Sequence, residues 1–153
     1  MMTKWLMALA AAPFLLAQAQ PDRAAIEKAV LEVSAQMTQA GKDRDADRLF
    51  SHILDTDRGS IIQNGNLMVT RAEALAQVKA NLGQVAKVDY RWTRQLVTVL
   101  SPTTALLVSE GESTAVTADG RTFSVPLAQT MVLVLSQGEW KALHAHQSSP
   151  QRR

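Results

Sequence analysis

Apolar positions recur first at helical and then at strand spacing, and the change comes at Gly83. From Asp22 to about Ala40, the residues Ile26, Ala29, Val30, Val33 and Met37 return at intervals of three and four. That spacing predicts a helix with one apolar stripe, capped by Asp22 and ended by Gly41. Asp45 or Asp47 offers a cap for a short second helix carrying Leu49, Phe50, Ile53 and Leu54. Asp55 to Gly59 breaks the pattern, and Ser60-Ile61-Ile62-Gln63 reads as a short strand entering an Asn64-Gly65 turn. Thr70-Arg71-Ala72-Glu73 has the composition of a capping box. The helix behind it is expected to bury Ala72, Leu75, Ala76, Val78 and Leu82 and to stop at Gly83.

Beyond Gly83 the period is two. Val85 to Leu100 reads as a long strand broken by Ser101-Pro102, and Thr104 to Val116 as the next, closed by Asp119-Gly120. Arg121 to Ser136 is the third and Glu139 to Gln147 the fourth, after a Gln137-Gly138 turn signal. Helices first and an antiparallel meander afterwards predict an α+β domain, with helices against one face of a curved sheet. On the third long strand Phe123, Val125, Leu127, Gln129, Met131, Leu133 and Leu135 share a face. All but Gln129 are apolar, so this is the expected core face. A buried amide there needs a partner in a ligand, a neighbouring strand or a water. Strict alternation along the last strand puts Trp140, Ala142, His144 and His146 on one face, opposite Lys141, Leu143, Ala145 and Gln147. A single bulge would reverse that orientation.

Composition narrows the classes. The chain has 153 residues, enough for one domain with an ordinary core, and its 46% apolar and 20% charged shares are those of a globular protein. Net charge is +2 and the basic residues are scattered, so no phosphate footprint for nucleic acid is present. The absence of cysteine excludes thiol catalysis and cysteine metal sites. Lys4, the apolar run Leu6 to Leu16, and Ala17-Gln18-Ala19 fit a cleaved signal peptide over residues 1–19. That run is shorter than the roughly 18 residues a membrane span needs. A periplasmic or secreted protein with no membrane association after cleavage is therefore expected, with its domain over residues 20–150 and a short tail at 151–153.

Specific strings resemble a known superfamily. Ala40-Gly41 to Asp45-Ala46-Asp47 before Leu49-Phe50 is similar to the turn between the first two helices of SnoaL-like and nuclear-transport-factor-2-like proteins. Asn64-Gly65 followed by Thr70 and Glu73 is similar to their strand-to-helix step. Gly138-Glu139-Trp140-Lys141 leading to His144-Ala145-His146-Gln147-Ser148 resembles the end of exported SnoaL-like proteins and of the calcium/calmodulin-dependent kinase II association domain. The resemblance implies a cone whose mouth, between the concave sheet face and the helices, holds any ligand. A gap-free match to the association domain places its pocket arginines on Gly111, Met131 and Gln147, none of them basic. It also puts Leu143, Ala145 and Gln147 on the pocket face, with His144 and His146 opposite.

Candidate ligand contacts are Tyr90, Trp92, Phe123, Gln129, Met131, His144, His146 and Gln147. Same-face imidazoles at His144 and His146 fit either a metal or base role needing a third partner, or ordinary hydrogen-bonded strand positions; the second is favoured, and no metal site is assigned. His52 has no ligand spacing to them. Glu110 and Glu112 share a face that reads as wet or as a subunit contact. No phosphate loop, dinucleotide fingerprint or nucleophile elbow is present, and no cofactor is implied. The leading expectation is an accessory or binding module for a small, largely apolar ligand. An isomerase, cyclase or dehydratase using His146 or Asp57 as base is one alternative, and a structural association domain the other. A homodimer through Leu106, Val108, Val132 and Val134 is expected in any of these.

Overall fold

The computed structural model describes residues 22–56 and 61–150. The expected signal peptide, Asp57 and the tail at 151–153 lie outside the described residues. Helices form where the sequence supplies both a stripe and a cap. In α1 (Arg23–Lys42) the Asp22 carboxylate accepts from the Ala24 N–H at 3.2 Å. The helix buries Ile26, Val30, Ser34, Met37, Ala40 and Gly41. It runs past its expected stop, because Gly41 serves a close approach rather than a termination. A Cβ there would lie 2.9 Å from Cε2 of Tyr90, so only glycine lets that ring pack flush.

The second helix, α2 (Ala46–Ser51), is capped by Asp45, whose carboxylate accepts from the Arg48 N–H at 2.9 Å. It ends before Ile53 and Leu54, which were expected inside it. Those residues turn toward the last strand instead: Leu54 N–H donates to the Ala142 carbonyl at 2.9 Å, and Ala142 N–H donates to the His52 carbonyl at 2.8 Å.

Two short strands follow, β1 (Ile61–Gln63) and β2 (Asn66–Met68), paired antiparallel. The second was not foreseen. Asn64 and Gly65 both take positive φ, 51° and 84°, which is the turn geometry that closes a tight hairpin. The capping box at α3 (Arg71–Gly83) forms as expected. Its inward face differs: Ala74 and Leu82 are buried while Ala72 and Ala76 are exposed. Leu75, Val78 and Leu82 orient this helix, and alanines carry too little apolar area to choose a side.

Four long strands complete the fold: β3 (Val85–Ser101), β4 (Thr104–Thr117), β5 (Thr122–Ser136) and β6 (Glu139–Ser148). Sheet order is β2-β1-β6-β5-β4-β3, with β1 parallel to β6 and every other pair antiparallel. The sheet is curved and unclosed, and the helices pack on one side of it, an α+β cone. Its core centres on Val30, Phe50, Leu107, Met131 and Leu133.

Two bulges decide which side chains face the helices. Thr93 lies unpaired between Trp92↔Gly111 and Arg94↔Glu110. Before it Val88, Tyr90 and Trp92 point inward; after it Gln95, Val97 and Val99 do. Leu96, in phase with Tyr90 by strict alternation, is therefore 56% exposed on the outer face. Leu143 is the second extra residue, between Leu133↔Ala142 and Val132↔His144. Trp140 and Ala142 face the core before it, and Ala145 and Gln147 after it. His144 and His146 consequently share the outer face with Val132 and Thr130. Strict alternation fails at both points because each bulge spends one residue without a partner and flips the parity beyond it.

Candidate functional site

A cavity of about 110 Å³ lies between the concave sheet face and the helices. Its apolar wall includes Met37, Leu49, Phe50, Ile53, Val78, Leu82 and Met131, with the rings of Tyr90 and Trp92. The helices contribute Ser34, Thr38 and Gly41, and the sheet contributes Gln63, Gln129 and Gln147.

The polar groups are organised by strand register. Gln63 pairs with Gln147, Gln147 with Gln129, Gln129 with Ser109, and Ser109 with Gln95. A single row of amides and one hydroxyl thus crosses from β1 to β3 on the concave face. The row is fixed at both ends. Gln95 Nε2 donates to Ser34 Oγ at 2.8 Å and to Ser109 Oγ at 3.2 Å. Gln63 Nε2 donates to Gln147 Oε1 at 3.0 Å. On the helix side, Trp92 Nε1 donates to Thr38 Oγ1 at 2.9 Å, and that hydroxyl donates to the Ser34 carbonyl at 2.8 Å. Gln129, in the middle of the row, is different. The residue is only 9% exposed, and its side chain borders the cavity and has no hydrogen-bond partner among the described residues.

The electrostatics are neutral. Among the described residues Tyr90 is the one titratable side chain on the cavity wall, and burial pushes its phenol above the ordinary value. A neutral hydroxyl therefore persists there through physiological pH. No carboxylate, imidazole or cation on the described wall is available as a general base or as a counter-ion.

Of the residues expected to contact a ligand, the fold brings Tyr90, Trp92, Gln129, Met131 and Gln147 around this cavity. It does not bring Phe123, His144 or His146 there. Phe123 is 36% exposed and lies off the cavity wall. The histidines are turned outward by the Leu143 bulge. Among the described residues no three His, Asp or Glu side chains converge as metal ligands. Asp55 is exposed and off the cavity wall. Glu110 and Glu112 pair on the outer face with Arg94 at 3.3 Å and Arg91 at 3.8 Å. Gln63, Gln95, Ser109, Ser34 and Thr38 were missed in the sequence reading. The available signal was Ser34 and Thr38, four apart beside the Val30–Met37 stripe; Gln95 was hidden by the Thr93 bulge.

A family model for the SnoaL-like domain matches residues 30–152. The chain belongs to the SnoaL-like family. No curated protein matches this SnoaL-like chain. It is similar to a solved structure from Streptomyces avermitilis, provisionally named a dehydratase of the NTF2-like family (TM-score 0.77, 17% identity, 86% of this chain and 100% of that one). It also resembles a Xanthomonas campestris protein provisionally named a calcium/calmodulin-dependent kinase II association domain (TM-score 0.71, 14% identity, 81% and 87% covered). A third is a hexachlorocyclohexane dehydrochlorinase (TM-score 0.73, 14% identity, 84% and 88% covered). At these identities the likeness is one of fold. Met131 and Gln147 border the cavity of this SnoaL-like chain, and neither carries a charge. No helix among the described residues is long and apolar enough to cross a membrane.

Proposed function

We propose that this SnoaL-like protein is a binding module for a small uncharged molecule held in the cone cavity. The observation that carries this reading is the wall itself, which joins aromatic and aliphatic surface to a row of neutral amides. A charged ligand entering such a space would lose its hydration without gaining a counter-ion. The volume of about 110 Å³ is of the order of an engineered space (~150 Å³) that accepts benzene, so the buried part of a ligand is one ring or a short chain. General acid–base turnover needs an ionisable group within hydrogen-bond reach of the reacting atom. His146, one base considered, faces away from the cavity.

Export is part of the same proposal, supported by Lys4, the Leu6–Leu16 run and Ala17-Gln18-Ala19. So is a homodimer, supported by the apolar outer face of β3, β4 and β5. Native mass spectrometry of the protein purified from its own compartment tests all of this together. The expected spectrum shows a chain starting at Gln20 in a dimer, with a small organic species retained. A protein purified without any retained species, and without response in Trp92 fluorescence to a library of neutral aromatic fragments, would overturn the binding reading.

A further inference from the structure

The row of amides has a chemistry more specific than "polar". Gln95 is committed to Ser34 and Ser109, and Gln63 to Gln147. Each terminal partner is thereby held in one orientation. Gln147 accepts from Gln63 through Oε1, which leaves its Nε2 donors uncommitted toward its neighbour Gln129. Gln129 keeps both its acceptor oxygen and its donor nitrogen, in a residue 9% exposed whose side chain faces the cavity. Cross-strand neighbours on one face stand about 5 Å apart, so one planar group can meet both amides together.

We infer that Gln129 and Gln147 recognise a carboxamide edge, the adjacent N–H and C=O of a primary amide, lactam or imide, on a ligand whose apolar body lies among Tyr90, Trp92 and Met131. The inference rests on the binding reading above and names its ligand class. The ligand's N–H donates to Gln129 Oε1, and its carbonyl accepts from Gln147 Nε2. An amide supplies donor and acceptor side by side without charge at neutral pH, where a carboxylic acid of the same shape has lost its proton. A carboxylate offers two acceptors and no donor, and it would be buried here without a cation. A hydrocarbon of the same shape offers Gln129 no partner and takes away its access to water.

The test is a titration of the purified protein with benzamide, benzoate and toluene, followed by the NMR signal of the Trp92 indole N–H. Benzamide is expected to bind ~10-fold or more tightly than toluene or benzoate. In Gln129→Leu, benzamide should fall to the toluene level while toluene binding persists, which also shows that the variant is folded. Gln147→Leu provides a second handle, removing the partner donor, and should lower benzamide affinity without lowering that of toluene. Equal binding of benzamide and toluene by the unaltered protein, or an unchanged ratio in both variants, overturns the carboxamide assignment and leaves the binding reading standing. Failure of all three probes to perturb the Trp92 signal overturns the binding reading and this assignment with it.

Discussion

A hydrogen in place of a side chain at Gly111 allows the β3 bulge to close against β4. A Cβ there would collide with the Arg91 carbonyl and lie 2.9 Å from Trp92 Cα, both backbone atoms that cannot swing aside. Gly111→Ala should therefore cost about 1–3 kcal/mol of stability in urea unfolding, as overpacking does elsewhere, and shift the Trp92 indole signal. Unchanged stability would mean that the bulge relaxes freely. Gln129 makes the opposite prediction. Its amide lacks a partner among the described residues, so Gln129→Leu should leave stability unchanged or raise it. A loss above about 1 kcal/mol would instead show that the amide is structurally held. At this scale the sequence was legible wherever alternation ran unbroken. Gln129 and Met131 were placed on the concave face by period two alone. Alternation alone did not place Gln95, Leu96, His144 or His146 with their true neighbours, because Thr93 and Leu143 carry no residue-level sign that they stand unpaired; for the two histidines the family resemblance did place them opposite the pocket face.

Two backbone hydrogen bonds tie the end of α2 to β6. The exchange between His52 O, Ala142 and Leu54 N anchors the helix to the strand just before the Leu143 bulge. Its weak point is the His52 ring. Burial first, and the Lys141 ammonium and Arg48 guanidinium after it, lower the His52 pKa below 6.5, with Glu139 opposing them. The unfolded chain thus takes up this proton more readily than the folded one. Stability contributed by the neutral ring is present above pH 6.5 and declines as pH falls below it. Urea midpoints measured between neutral pH and about pH 5.5 should therefore fall more steeply for the natural protein than for His52→Gln. Identical slopes would remove His52 as the cause. The elements themselves were largely readable from stripes and caps. Both Asp22 and the Thr70–Glu73 pair cap as their sequence implies. The β2 strand was not, because three residues after a turn are too few to establish a period.

At the scale of the molecule, the helices cover one sheet face and leave the other to solvent. On that outer face Leu96 pairs across to Val108 and Leu106 to Val132. Leu96, Leu100 and Val108 are 56%, 59% and 41% exposed. Further along the same strands, Arg94–Glu110 and Arg91–Glu112 are already paired within the chain. An apolar centre beside charges that need no outside partner is the layout of a core and rim, and a two-fold axis can lay it on its own copy without burying an unpaired charge. A second copy is thus the proposed occupant, and about 800 Å² per partner is the area a standard interface requires. Sedimentation velocity at micromolar concentration should show a dimer for the natural chain and a monomer for the double variant Leu96→Glu, Val108→Glu. These sites point away from the cavity, so the variant should keep its far-ultraviolet circular dichroism and any benzamide binding. A natural chain that sediments as a monomer would overturn the dimer. A dimer that survives both glutamates would place the contact on a different surface, since two carboxylates facing their own copies across an apolar patch cannot be accommodated there.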